Sequence, residues 1–104
     1  MMAGKEEMLQ DYLERIKQNV LSELAEENVA IALVGSAAIG TETCASDIDV
    51  AIIPRGTVNR AALSRARKRV EELYVPYVID IVDFSMVSES FKNNALIHAI
   101  WWRA

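Results

Sequence analysis

Cysteine is nearly absent from this sequence, and its scarcity limits the chemistry available. Cys44 is the only cysteine among 104 residues, so no disulfide can form within the chain. Chains without disulfides are typical of reducing compartments, and we therefore expect a cytoplasmic location. His98 is likewise the only histidine, with no cysteine near it in sequence, so a zinc site is not expected.

Long hydrophobic runs are also missing. No stretch reaches the roughly 18 consecutive apolar residues of a membrane span. Residues 1–7 mix charges and no apolar segment follows them, which argues against a secretory signal. We therefore expect no membrane partner.

Positive charge is in deficit, since the net charge is -4 at pH 7. A protein that grips extended nucleic acid through its phosphates usually carries a basic surplus. Broad DNA or RNA binding is therefore not expected. A smaller phosphate ligand remains compatible with the sequence if metal ions bridge it to acidic side chains.

What the chain does contain is the composition of a globular protein, with 52% hydrophobic and 25% charged residues. It has no internal repeat and no Gly/Ser-rich linker, so we expect a single domain over residues 1–104. Helix and strand patterns alternate along it. They predict a mixed α/β (α+β) domain, with a small mixed sheet of three or four strands flanked by helices.

Periodicity sets the predicted elements. Apolar residues at steps of three or four predict a helix over residues 5–26, and a continuous apolar run predicts a strand over 29–34 that is buried on both faces. Alternation predicts a second strand over 47–54. The remaining predictions are a helix over 59–74 capped by Asn59, a strand over 77–84, a short helix capped by Ser85 or Ser88, and a last apolar segment of undetermined type over 97–102.

The stretch between the first two strands carries the chemistry. Gly35 ends the first strand and would let a ligand approach the backbone, and Ser36 offers a hydroxyl and an N–H. If residues 37–39 begin a short helix, its free N–H groups form a phosphate site. Taken alone, a Gly-Ser pair after an apolar run is more often an ordinary turn.

Asp47 and Asp49 are two residues apart on a strand, so their side chains project from the same face. Two like charges this close favour a cation between them, and Mg²⁺ takes oxygen ligands that bridge carboxylates to phosphates. A pair of such ions can activate an attacking oxygen and stabilise a leaving one. Asp80 and Asp83 are the candidates for a third carboxylate, and their odd spacing allows only one of them to share the face.

These motifs resemble a known family. Residues 35–40 (GSAAIG) followed by residues 46–49 (SDID) are similar to the signature of the DNA polymerase β-type nucleotidyltransferases, and residues 76–83 (PYVIDIVD) are similar to their third-strand motif. The short chain resembles the minimal nucleotidyltransferases, or MNT proteins. The resemblance implies a polymerase β-like fold, catalytic and metal-binding roles for Asp47, Asp49 and Asp80, nucleotide contacts from Gly35, Ser36, Gly40 and Ser46, and a structural role for Asp83.

The resemblance also implies a reaction and a partner. Many MNT proteins are antitoxins of HEPN toxins, and some transfer AMP from ATP to a tyrosine of the toxin. Mg²⁺, expected as two ions, and ATP are the implied cofactor and substrate. Ala37 and Ile39 stand where the family often has basic residues, which motivates an alternative, a binding-only antitoxin with a degenerate site. A weaker alternative is transfer to a small molecule, which would need a homo-oligomer to supply more of the site.

Two further groups of residues have open interpretations. Five basic residues of the second predicted helix favour a solvated face, with a docking surface as the alternative; they are Arg60, Arg65, Arg67, Lys68 and Arg69. Trp101 and Trp102 are adjacent, so on a strand one would be in the core and the other on the surface. An exposed tryptophan there would suit an interface.

Overall fold

The computed structural model describes residues 5–35, 38 and 47–104. Within this part of the chain, three longer helices, one short 3₁₀ turn and four strands alternate. In chain order they are α1 (Lys5–Glu23), β1 (Val29–Val34), β2 (Asp47–Pro54), α2 (Arg60–Glu71), β3 (Val78–Asp83), the 3₁₀ turn (Phe84–Met86), α3 (Glu89–Ala95) and β4 (Ile100–Arg103).

The four strands form one sheet in the order β3-β2-β1-β4. β1 pairs antiparallel with both β2 and β4, whereas β2 and β3 run parallel. The predicted mixed sheet flanked by helices is therefore confirmed. Residues two apart on one strand share a face of the sheet. The parallel register of β2 and β3 then decides which acidic residues on that face lie side by side.

The larger half of the core lies between the sheet and the helices α1 and α2. The apolar stripe of α1 and the inner face of α2 pack on alternate residues of β1 and β2. The fully buried side chains of this layer include Ile16, Leu24, Ile31, Ile52 and Leu63. Burying each of them contributes about 1.5–3 kcal/mol relative to exposure.

A smaller cluster covers part of the other sheet face. Phe84 of the 3₁₀ turn is 4% exposed and packs with Ala32 and Ala51, while apolar residues around α3 pack against this cluster. β1 is consequently buried along its whole length on both faces, as the continuous apolar run predicts. Among the described residues, none of this cluster reaches the end of the second face where β2 begins with the exposed Asp47.

The structure corrects the boundaries of three predicted elements. α1 ends at Glu23 rather than residue 26, since residues 24–27 form a turn whose carbonyls at Leu24 and Glu27 accept hydrogen bonds from Arg103, at 2.8 and 2.7 Å. α2 ends at Glu71 rather than residue 74, ahead of Pro76. β3 is one residue shorter than predicted at each end.

The helix caps agree better with the predictions than the helix ends do. The Asn59 side chain accepts a hydrogen bond from the Ala61 N–H at 2.8 Å, and the Ser88 hydroxyl accepts one from the Phe91 N–H at 3.1 Å. Ser88, not Ser85, is therefore the cap of the short helix. The undetermined last segment is a strand, in which Trp102 packs on the core while Trp101 is 48% exposed.

The basic residues of α2 are exposed, as predicted, and some of them also contact α1 and β3. Arg65 and Arg69 both contact Glu23 of α1, at 3.3 and 2.9 Å. The Arg67 guanidinium donates two hydrogen bonds to the backbone carbonyl of Ile81. None of the described helices is long and apolar enough to cross a membrane.

Candidate active site

The predicted catalytic residues meet at the open end of the sheet, where β1 ends and β2 begins. Asp49 pairs with Val34 in the antiparallel register of β1 and β2, so it lies beside the last residue before Gly35. Asp47 is exposed and Asp49 is half-buried. Their spacing of two residues places both on the face opposite α1 and α2, because Ile48 and Val50 between and after them point into the helix-side core.

Asp80 is the acidic residue of β3 that joins them. It pairs directly with Asp49 in the parallel register of β2 and β3, and it is exposed. Paired residues on neighbouring strands share a face and lie about 4.8 Å apart along the hydrogen-bonding direction. Asp49 and Asp80 are therefore immediate neighbours on the same face as Asp47.

Asp83 turns to the opposite face. It is 6% exposed and bonds the Arg60 guanidinium of α2 at 3.0 Å. Its other carboxylate oxygen accepts hydrogen bonds from the N–H and the hydroxyl of Ser85, at 2.9 and 2.7 Å. Asp83 thus caps the 3₁₀ turn and fastens α2 to β3, and the expected structural role is confirmed.

Gly35 adopts a left-handed conformation with φ of 78°, which most side chains disfavour. The Ala38 N–H donates to the Gly35 carbonyl at 3.1 Å, and Ala38 is helical. The rest of the short helix predicted over residues 37–39 lies outside the described residues. Of the other predicted nucleotide contacts, Ser36, Gly40 and Ser46 lie outside the described residues, and so do Ala37, Ile39 and Cys44.

Burial and two neighbouring negative charges act on Asp49. Burial raises the pKa of Asp49 above its ordinary value of 3.8, and the negative charges of Asp80 and then Asp47 raise it further. Among the described residues, none of the three ion pairs includes any of these aspartates. The site therefore concentrates negative charge that a cation would neutralise.

Comparison with known proteins identifies the family of the chain. Residues 13–102 match the family model described as a nucleotidyltransferase domain. The chain belongs to this family. The resemblance noted in the sequence is thereby confirmed, and the sheet and its flanking helices are those of the polymerase β-like nucleotidyltransferase fold.

Solved structures similar to this nucleotidyltransferase come from toxin–antitoxin pairs. One is a toxin–antitoxin with AMP-PNP, at 20% identity and a TM-score of 0.61, covering 83% of this chain and 71% of that chain. Another is tri-AMPylated Shewanella oneidensis HEPN toxin in complex with MNT antitoxin, at 16% identity, a TM-score of 0.57 and coverages of 86% and 70%. At these identities the likeness concerns the fold. The sequence has no significant match among curated proteins.

The carboxylates of the nucleotidyltransferase would supply only part of the coordination shell of a metal ion. Within residues 5–35, 38 and 47–104, no group of three or more acidic, histidine or cysteine side chains is arranged to hold a metal ion by itself. Mg²⁺ commonly takes only one or two protein carboxylates, with phosphates and water completing its shell. The adjacent, like-charged Asp49 and Asp80 fit that second arrangement, and the two-ion site stays a prediction.

Sequence reasoning missed one residue beside the site. Val78 shares the face of Asp80, pairs with Asp47 across the strands and is 65% exposed, so an apolar side chain borders the carboxylates. The period of two along β3 places it there and could have revealed it. The contact between the exposed Arg60 and the buried Asp83, on the other face, could not be read from the sequence because it joins residues 23 positions apart.

Proposed function

We propose that this protein transfers AMP from ATP to a hydroxyl of a HEPN-type protein and thereby neutralises it as an antitoxin in the cytoplasm. The observation that carries the proposal is the direct pairing of Asp49 with Asp80, on the face of Asp47 and beside the left-handed Gly35. Neighbouring carboxylates of this kind can hold the metal ions that assist phosphoryl-type transfer.

In the proposed reaction the acceptor oxygen attacks the α-phosphorus of ATP and a new P–O bond forms. The bond from the α-phosphorus to the bridging oxygen breaks, and pyrophosphate leaves with its electron pair. Asp80 lies nearest the acceptor and takes the hydroxyl proton, while Asp47 and Asp49 hold the metal. Mg²⁺, when bound, neutralises charge on the phosphates. Such transfer depends mainly on positioning and charge stabilisation.

Support for the partner comes from the relatives and from the surface. The similar solved structures are toxin–antitoxin complexes, and one contains a HEPN toxin that carries AMP groups. The described surface exposes three large apolar side chains at or just before the edge strand β4: Ile97 is 67% exposed, Ile100 47% and Trp101 48%. Ile100 and Trp101 lie on opposite faces of this edge strand, and exposed apolar residues at such an edge favour a protein contact.

The test is intact mass spectrometry of a HEPN-family protein from the same organism, incubated with this protein, ATP and Mg²⁺. We expect the wild type to add one or more AMP units to the HEPN protein. Asp80→Asn should abolish the addition, because it removes a carboxylate from the site. Asp83→Asn is the matched control, since it makes the same change on the same strand but on the opposite face, and it should keep the activity.

Two outcomes would contradict the proposal. Transfer by Asp80→Asn at the wild-type rate would contradict the site assignment. Wild-type protein that binds the HEPN protein without adding AMP would instead support the binding-only antitoxin. In that case Ala37 and Ile39 are the substitutions to reverse first, because each stands where a basic residue would contact phosphate.

A further inference from the structure

Gly35 lies directly against the side chain of Asp49. A Cβ atom built on Gly35 would lie 2.8 Å from Oδ2 of Asp49, with the Cγ and Cβ of Asp49 next at 3.6 and 3.7 Å. The three nearest atoms all belong to this one side chain. The space that a side chain on Gly35 would fill is thus already occupied by the Asp49 carboxylate.

The obstacle is the end of a side chain rather than backbone. A separation of 2.8 Å is well below the roughly 3.5–4.0 Å at which nonbonded atoms pack. The terminal torsion of an aspartate is broad, so the carboxylate can rotate away at little cost. A side chain at position 35 would therefore displace the Asp49 carboxylate, in addition to the backbone strain that the positive φ imposes on most residues.

We propose that Gly35 is a positioning residue for Asp49, and that the absence of its side chain keeps the Asp49 carboxylate in the orientation that binds the metal. This inference rests on the proposed function in one respect, the role of Asp49 as a metal ligand. It differs from the usual reason for glycine at the end of β1, a close approach of the backbone to phosphate. Under the usual explanation a substitution of Gly35 would weaken nucleotide binding. Under our proposal it would weaken metal binding even without nucleotide.

The experiment measures Mn²⁺ binding by electron paramagnetic resonance in the absence of nucleotide. The variants are Gly35→Ala, Gly35→Asn and Asp49→Asn, with circular dichroism and thermal melts to establish folding. Gly35→Asn is included because asparagine tolerates positive φ, so it adds a Cβ with less backbone strain. Gly56→Ala is the matched control, since a Cβ there would meet nothing within 4 Å.

We expect both Gly35 variants to weaken Mn²⁺ binding by roughly 10-fold to 100-fold, as loss of groups that orient metal ligands generally does. Gly56→Ala should bind Mn²⁺ as the wild type does. Wild-type affinity in folded Gly35 variants, with weakened binding in Asp49→Asn, would overturn the inference alone. Unchanged binding in Asp49→Asn would instead overturn the metal-binding role of Asp49.

A second measurement needs no metal. The ¹³C chemical shift of the Asp49 carboxyl carbon, recorded at neutral pH in metal-free protein, reports the surroundings of that group. It should move in Gly35→Ala and Gly35→Asn and stay in place in Gly56→Ala. A shift that is unchanged in both Gly35 variants would show that the carboxylate does not move, and the inference would fail whatever the protein binds.

Discussion

At the scale of single residues, β3 carries two aspartates with different roles, one at the candidate site and one in the structural core. Asp80 is exposed beside Asp49, whereas Asp83, three positions later, is buried against Arg60 and Ser85. The odd spacing sends them to opposite faces. Asp83 is satisfied by hydrogen bonds and an ion pair, while Asp49 faces like charge, so the same side chain stabilises the fold at one position and strains it at the other.

The first prediction concerns Asp83 and acid. Burial alone would raise the pKa of Asp83, but the hydrogen bonds from Ser85 and the charge of Arg60 outweigh burial and hold this pKa below 3.8. The contribution of Asp83 to stability is therefore present above pH 3.8 and is lost as pH falls through the folded-state pKa. Asp83→Asn should cost about 1–3 kcal/mol at pH 7 and progressively less below about pH 4.

Urea unfolding of wild type and Asp83→Asn between pH 2.5 and 7 checks this prediction, at about half-unit steps. An equal difference in unfolding free energy at every pH would contradict it. Ser85→Ala removes one of the hydrogen bonds to Asp83 and should reproduce part of the pH dependence.

The second prediction concerns Asp49, whose pKa is shifted the other way. Because the pKa of Asp49 is raised in the folded state, its ionised form opposes folding; this cost is absent below pH 3.8 and complete above the raised pKa. Asp49→Asn should therefore raise the melting temperature at pH 7 while abolishing transfer, a gain of stability at the expense of function.

Thermal melts in a metal-free buffer provide the measurement. Asp11→Asn, on the exposed surface of α1, is a control with the same change of net charge. A melting temperature for Asp49→Asn that is no higher than that of Asp11→Asn would contradict the prediction.

At the scale of elements, the sequence predicts strands better than it predicts ends of helices. β1 and β2 have the predicted bounds, because an unbroken apolar run and a strict alternation each fix a strand locally. α1 and α2 stop three residues early. After α1, the carbonyl of Leu24 accepts a hydrogen bond from Arg103, a contact between distant residues that local periodicity does not reveal. Strand order and register are equally non-local, so the pairing of Asp49 with Asp80 had to come from the family resemblance rather than from periodicity.

The third prediction tests the tie between β4 and the end of α1. The Arg103 guanidinium donates to the carbonyls of Leu24 and Glu27, a fork that the single ammonium of lysine does not reproduce. Arg103→Lys should lower the unfolding free energy by about 1–3 kcal/mol, because a charged hydrogen bond to a partly buried carbonyl is lost. Chemical unfolding measures it, with Arg55→Lys on the exposed turn after β2 as the control. Equal stability of the two variants would contradict the prediction.

At the scale of the whole molecule, the sheet separates the chemistry from an exposed apolar edge. The carboxylates lie on β2 and β3, whereas Ile100 and Trp101 lie on β4, two strands from β2 and about 10 Å away. A groove of about 200 Å³ runs between α1 and β4 and includes both tryptophans in its lining. Binding of a partner at this edge and binding of metal at the carboxylates can therefore be measured as separate properties.

The last prediction follows from that separation. Trp101→Ala should weaken the complex with the HEPN-type partner by about 2 kcal/mol or more, roughly 30-fold in Kd, because exposed tryptophans are frequent hot spots of interfaces. It should leave Mn²⁺ binding unchanged, since Trp101 is two strands from the carboxylates. Tyr74→Ala is the matched control: Tyr74 is 92% exposed in the segment before β3, at the opposite edge of the sheet.

Calorimetric titration of the partner distinguishes the two edges. A loss of affinity in Tyr74→Ala but not in Trp101→Ala would move the interface to the β3 side, next to Val78 and the acceptor position.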